Sequence, residues 1–138
     1  MSELVWLFGA NEGDSFELPP GTYLVRYGVE DAFNFKELDG LVTCDNTTFG
    51  DPVAGKQKHC EFQVNAPHAA FTVEVNDLTV LLTNNSTDAQ SYVWVLGDGK
   101  TSVSTNTTHT YAGHGTYSVT LKATGLGGVD IFKTDIVV

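Results

Sequence analysis

Basic residues are scarce in this chain: seven Lys and Arg stand against seventeen Asp and Glu, a formal charge of −10 over 138 residues. Such an excess of negative charge repels phosphate backbones and anionic lipid surfaces, so nucleic acid is excluded as a partner. Long apolar runs are missing too. None approaches the roughly 20 residues that a membrane helix needs, so membrane insertion is not expected. Helical stripes are equally absent, because Gly, Thr, Asn and Val interrupt almost every window.

Catalytic signatures are also lacking. There is no Gly-x-Ser-x-Gly elbow, phosphate loop or His-Glu-x-x-His, and Asp31, Asp39, Asp51, Asp98 and Asp130 fall where a carboxylate ordinarily satisfies turn amides. His109 and His114 lie five apart and His59 adjoins Cys60, but no four-ligand zinc spacing exists. Asp98 with neighbouring carbonyls suits calcium, although a plain hairpin turn accounts for it equally well. The expectation is a protein without catalytic residues, metal or cofactor. The first eight residues, Met1 to Phe8, carry no basic n-region and an acidic Glu3. They do not read as a secretory signal: either a signal was cut off or none existed, and the Met-Ser start favours the expectation of a chain made in a cytosol.

What is present is short alternation. Phe71, Val73 and Val75 alternate with polar residues, as do Val80 and Leu82, and then Tyr117, Val119 and Leu121. Turn chemistry separates these runs: 84–88, then Gly97-Asp98-Gly99, then Gly113-His114-Gly115, then 125–128. Strands with turns about every ten residues imply a sandwich, closed by a last strand over 129–138. The N-terminal half has the same character, with strands expected over Thr22–Tyr27 and Phe33–Leu38 and a turn at Asp39-Gly40. The stretch between Cys44 and Cys60 reads as a long loop closed by its two cysteines. Asn65-Ala66-Pro67 reads as a linker. The fold class is therefore all-β, two tandem small modules over residues 1–66 and 67–138.

Residues Tyr92-Val93-Trp94-Val95-Leu96-Gly97-Asp98-Gly99, followed by His109-Thr110-Tyr111 and Gly115-Thr116-Tyr117-Ser118-Val119-Thr120-Leu121, resemble the core of PKD-type immunoglobulin-like domains. Asn85-Ser86-Thr87 and the terminal Gly-Gly strand complete a resemblance over about residues 70 to 138. It implies a β-sandwich with Trp94, Tyr117, Val119 and Leu121 in the structural core. Trp94 is a large plate between two sheets, Tyr117 packs inward with a backbone partner for its hydroxyl, and Gly97 and Gly99 supply positive backbone angles. Val95 and Leu96 depart from the family's Asp and Phe, which weakens any polar or cation-binding role of that loop.

Ala10-Asn11-Glu12-Gly13, Val25-Arg26-Tyr27-Gly28, Cys44, Thr48-Phe49-Gly50-Asp51-Pro52, Gly55, Lys58 and Cys60 form a second pattern. On these residues the N-terminal half resembles a small cysteine-bearing β module found on secreted sugar-active enzymes and in phage structural proteins. The enzyme-linked versions carry an additional cysteine pair near the Asn-Glu-Gly segment, where this chain has Gly9. One cross-link, Cys44 to Cys60, remains, and closing such a loop contributes roughly 3 kcal/mol.

Sugar recognition needs flat aromatic faces beside polar groups. Trp6, Tyr27, Phe33 and Phe35, near Arg26, Asn34 and Lys36, form the candidate glycan platform, although small modules also need aromatics for their cores. Four sequons, at Asn46, Asn84, Asn85 and Asn106, matter only in a eukaryotic secretory protein. Two functions follow. The first is a bacteriophage virion protein, made in the host cytoplasm and displayed on the particle surface. It would decorate the major capsid or tail protein, with weak adhesion to cell-surface or mucus glycans and a homo-oligomer on the particle as one arrangement. The second is an extracellular accessory or carbohydrate-binding fragment of a secreted glycoside hydrolase.

Overall fold

The computed structural model describes residues 3–138; Met1 and Ser2, which belong to the start read above, lie outside the described residues. The chain is nearly all-β, with thirteen strands and one four-residue helix among the described residues. It divides into two compact units, Leu4–Val64 and Asn65–Val138, the second joined by Glu3, whose carbonyl accepts the Ala66 N–H at 2.6 Å.

In the N-terminal unit, β1 (Leu4–Asn11), β6 (His59–Asn65), β3 (Tyr23–Val29) and β4 (Ala32–Leu38) form a sheet in that order. β2 (Ser15–Glu17) and β5 (Leu41–Thr43) form a two-stranded ribbon. Strand alternation sends Val25, Tyr27, Cys60, Phe62 and Val64 inward, where they meet Ala10, Leu18, Val42 and Cys44. Phe16 stacks on Phe62 with ring centroids 6.0 Å apart. A Cβ at residue 9 would fall within 2.7 Å of Phe16 ring carbons. Glycine there is what lets the ring lie against β1.

Cys44 and Cys60 are joined in a disulfide, both fully buried. The segment between them is not the plain loop expected. Asp45 caps a one-turn helix, α1 (Asn46–Phe49), its Oδ1 accepting the Thr48 N–H at 2.8 Å. Behind it lies Lys58, only 3% exposed, whose ammonium faces four oxygens: Lys56 O at 2.8 Å, Val53 O and Asp51 Oδ1 at 3.3 Å, and Glu12 Oε1 at 3.4 Å. Tyr27 donates its hydroxyl to Glu12 at 2.8 Å, and the Lys58 N–H reaches the other Glu12 oxygen at 3.0 Å. The Tyr27 hydroxyl, and next the Lys58 amide, hold the Glu12 carboxyl below its ordinary range. Burial, and then Glu12, push the Tyr27 phenol well above its own.

In the C-terminal unit, one sheet runs β10 (Thr101–Ser102), β9 (Ser91–Val95), β12 (Thr116–Gly125), β13 (Gly128–Val137). The other runs β11 (Thr107–Thr110), β8 (Thr79–Asn84), β7 (Phe71–Asn76). The two enclose a separate core of Phe71, Val80, Leu82, Trp94, Leu96, Tyr111, Val119, Leu121 and Ile136. Trp94 is fully buried, edge-on to Phe71 at 5.0 Å, and donates its indole N–H to Ser104 O at 2.9 Å. The second fully buried aromatic of this unit is Tyr111. Tyr117, at the start of β12, is half-buried, packs against the same core, stacks on Tyr111 at 3.9 Å and donates its hydroxyl to Gly113 O at 2.8 Å.

Candidate functional site

The outward face of the N-terminal sheet is aromatic. Arg26 on β3 stands opposite Glu61 on β6 and Phe35 on β4, and Gly28 stands opposite His59 and Phe33. The Arg26 guanidinium carbon lies 4.2 Å from the ring centroids of both Trp6 and Phe33. It is held there by Glu61, whose Oε1 accepts Nε at 2.9 Å and pairs with the terminal nitrogen at 2.8 Å. His59 Nε2 reaches that oxygen too, at 3.2 Å. Phe8 stacks beside His59 and Trp6 tilts toward Phe35, each pair 6.2 Å between centroids. Phe8 and Phe35 remain 61% and 57% exposed.

A cation this close to two ring faces contributes about 0.5 to 2 kcal/mol, and the ion pair fixes its orientation. The result is a strip of pre-positioned rings edged by a guanidinium, a carboxylate and an imidazole. It can stack on flat apolar faces and hydrogen-bond at their rims.

The platform read from sequence is thus corrected in part. Trp6, Arg26, Phe33 and Phe35 do share this face. Tyr27 does not: adjacent to Arg26 in one strand, it points to the opposite side, fully buried against Phe49 and bonded to Glu12 and Asn46. Asn34 and Lys36 also face away, donating to Phe49 O at 3.0 Å and Thr48 O at 3.3 Å. Phe8, His59 and Glu61 belong to the strip and were missed. The alternation of β1 placed Phe8 beside Trp6, but only cross-strand register reveals the other two.

The C-terminal unit has its own polar feature. Gly97 and Gly99 take φ of +87° and +90° around Asp98, and a Cβ at Gly97 would come within 2.6 Å of Ser118 O. Asp98 accepts the Lys100 N–H at 3.1 Å and meets His109 Nε2 at 2.7 Å. His109 packs edge-on to Tyr111, which donates to Leu96 O at 2.7 Å. This chain of contacts ties the turn to β11 and leaves Asp98 its own protein partners. His114 lies elsewhere, 3.7 Å from exposed Asp77. Among the described residues, no cluster of three or more His, Cys, Asp or Glu is placed to hold a metal ion.

Burial opposes charge on Asp98, but the bonds from His109 and Lys100 outweigh it and hold the carboxyl below its ordinary range. A depressed folded-state value adds stability that is present above the unfolded value and lost as pH falls through the folded one. Asp98→Asn is therefore expected to weaken the C-terminal unit near neutrality. The stability difference from the parent should close as pH drops below about 4, the ordinary carboxylate range. Denaturant titrations across pH check this; a gap that stays constant with pH refutes the coupling.

The family model for the PKD domain matches residues 61–137, more than half of the chain. The chain belongs to the PKD domain family. Its C-terminal unit is similar to the crystal structure of the PKD1 domain from the Vibrio cholerae metalloprotease PrtV. That likeness is 38% identical with a TM-score of 0.50, and covers 53% of this chain and 96% of that one. Two curated relatives match as well. The pre-pro-metalloprotease PrtV of Vibrio cholerae serotype O1 is 41% identical over 63 residues, 43% of this chain and 7% of that protein. The microbial collagenase of Vibrio alginolyticus is 37% identical over 81 residues, 53% of this chain and 10% of that protein. The chain thus matches a tenth or less of the length of these curated relatives.

Proposed function

We propose that this chain is a non-catalytic accessory module of an extracellular polymer-degrading enzyme, and that its aromatic face holds the enzyme on insoluble polysaccharide. The observation that carries the reading is the Arg26 guanidinium clamped by Trp6, Phe33 and Glu61 with Phe8 and Phe35 left open beside it. Rings fixed before a ligand arrives lose little conformational freedom on stacking, which favours weak, repeated contact with a flat polymer. A buried disulfide suits an oxidising compartment. The relatives are a metalloprotease and a collagenase, and they favour the enzyme-accessory reading over the virion-decoration one.

The collagenase relative supports a second reading, in which the polymer is fibrous protein. Depletion of the full chain from solution by microcrystalline cellulose, chitin and insoluble collagen separates the two. Retention on cellulose or chitin is expected, with Trp6→Ala roughly ten-fold weaker, about 1.4 kcal/mol. Phe35→Ala should be weakened less. Retention on collagen alone transfers the proposal to fibrous protein. Retention on none of the three, or binding indifferent to both substitutions, defeats the assignment of this face.

A further inference from the structure

The last strand of the C-terminal unit, β13, pairs with β12 alone among the described strands. Ten residues long, it ends the sheet with a row of main-chain groups that have no main-chain partner among the described residues. Edges of this length are normally blunted by charged side chains, proline, a bulge or a covering segment. On β13, Lys133 and Asp135 supply charge, and the Ala69 N–H bonds Asp130 Oδ2 at 2.8 Å near the start of the strand. Here the register with β12 runs unbroken from Thr116↔Val137 to Gly125↔Gly128, and Val129, Ile131 and Val137 are 53%, 59% and 70% exposed.

Which groups face outward follows from one bonded pair. Val138 and Gly115 exchange both main-chain hydrogen bonds, at 3.0 and 3.1 Å. Alternation along an antiparallel ladder then turns the N–H and C=O of the even-numbered residues of β13 toward β12. Those of Val129, Ile131, Lys133, Asp135 and Val137 turn to the free edge.

We infer that this edge is a self-recognition surface: a second copy of the chain adds its own β13 antiparallel across a two-fold axis at Thr134. In that register Lys133 stands opposite Asp135 of the second copy, and Ile131 opposite its Val137, each pair occurring twice. Roughly eight main-chain hydrogen bonds close the seam, two for each outward-facing pair. On the inner face Phe132, still 39% exposed, comes opposite Ile136 of the other copy. Opposite charges and apolar pairs directly across a seam are both favourable.

Slipping the seam by two residues loses this match. One slip sets Lys133 against Lys133; the opposite slip sets Asp135 against Asp135. A further slip faces Lys133 with Ile131 and Asp135 with Val129. Charge complementarity therefore selects both the occupant and the register, and the product is a continuous eight-stranded sheet from two four-stranded ones. The chain's charge of −10 opposes association at long range, but at about 0.15 M salt that repulsion is screened beyond about 8 Å. The local Lys133–Asp135 contacts lie inside that distance.

Sedimentation of the full chain at about 0.15 M salt, from roughly 10 µM to 1 mM, reads the association. A reversible dimer is expected, weakened at least ten-fold by Lys133→Asp, which sets like charges opposite each other. It should be restored by the double exchange Lys133→Asp with Asp135→Lys. Ile131→Pro provides a second route, because it deletes an outward donor and leaves the bonds to β12 in place. Circular dichroism confirms that each variant is folded. A chain that stays monomeric throughout overturns the proposal. So does a dimer that ignores the charge reversal, or one that the double exchange fails to restore.

Discussion

With Trp94 replaced by alanine, the PKD unit is expected to be unfolded at 25 °C while the N-terminal unit keeps its structure. The indole is fully buried, packs edge-on to Phe71 and satisfies its N–H at Ser104 O. Removing it deletes one of the largest side chains of a core that has nine buried members. Truncations of this kind cost about 3 to 5 kcal/mol, as much as a single small core supplies in total. The two cores share no residue, so the loss stays in one unit. Residue-resolved hydrogen exchange tests this: protection should vanish along β9 and β12 and persist along β3 and β6. Protection retained in β12 at the parent level would falsify the role given to the ring. Trp94→Phe, which keeps most of the volume but not the donor, should cost about 1 to 2 kcal/mol, the order of one lost hydrogen bond.

The second large effect belongs to Lys58. Alanine there leaves the Glu12 and Asp51 carboxylates and two carbonyls without their shared cation; the ammonium is buried, while the two carboxylates keep partial access to water. The loss comes from the buried ammonium's contacts and its packed stem, and it stays below that of breaking a fully buried pair because water reaches the carboxylates left behind. The N-terminal unit should therefore melt first, with the disulfide intact and the PKD unit unchanged. Lys58→Met recovers the packing of the aliphatic stem but not the charge, so it should recover only a minor part of the loss. Urea unfolding with exchange-resolved assignment separates the units; a Met variant as stable as the parent would show that the stem, not the ammonium, carries the effect. The same substitution tests whether the aromatic strip depends on this knot. Tyr27, which bonds Glu12, sits between Arg26 and Gly28 on β3.

Much of the architecture was legible before any coordinates. Alternation at Val80 and Leu82 and at Tyr117, Val119 and Leu121 identified strands and their inner faces, and Gly97-Asp98-Gly99 identified a turn with positive φ. The same rule, applied to Arg26 and Tyr27, forbids them one face, so alternation alone takes Tyr27 out of the platform. Tyr111 was harder. It follows β11 with no alternating run around it, and its burial comes from docking against Leu96, fifteen residues away.

The primary structure by itself determined the period-two pattern, the turn positions, the acidic charge and the availability of two cysteines. These depend on residues next to one another, where steric preference and alternation act without help. Only the tertiary structure decided that His59 and Glu61 join Arg26, that Lys58 is caged by Glu12 and Asp51, and that the outer edge of β13 has no strand partner among the described residues. Each of these depends on strand order and register. Strands far apart in sequence are matched by the packing of whole faces, which no local pattern encodes.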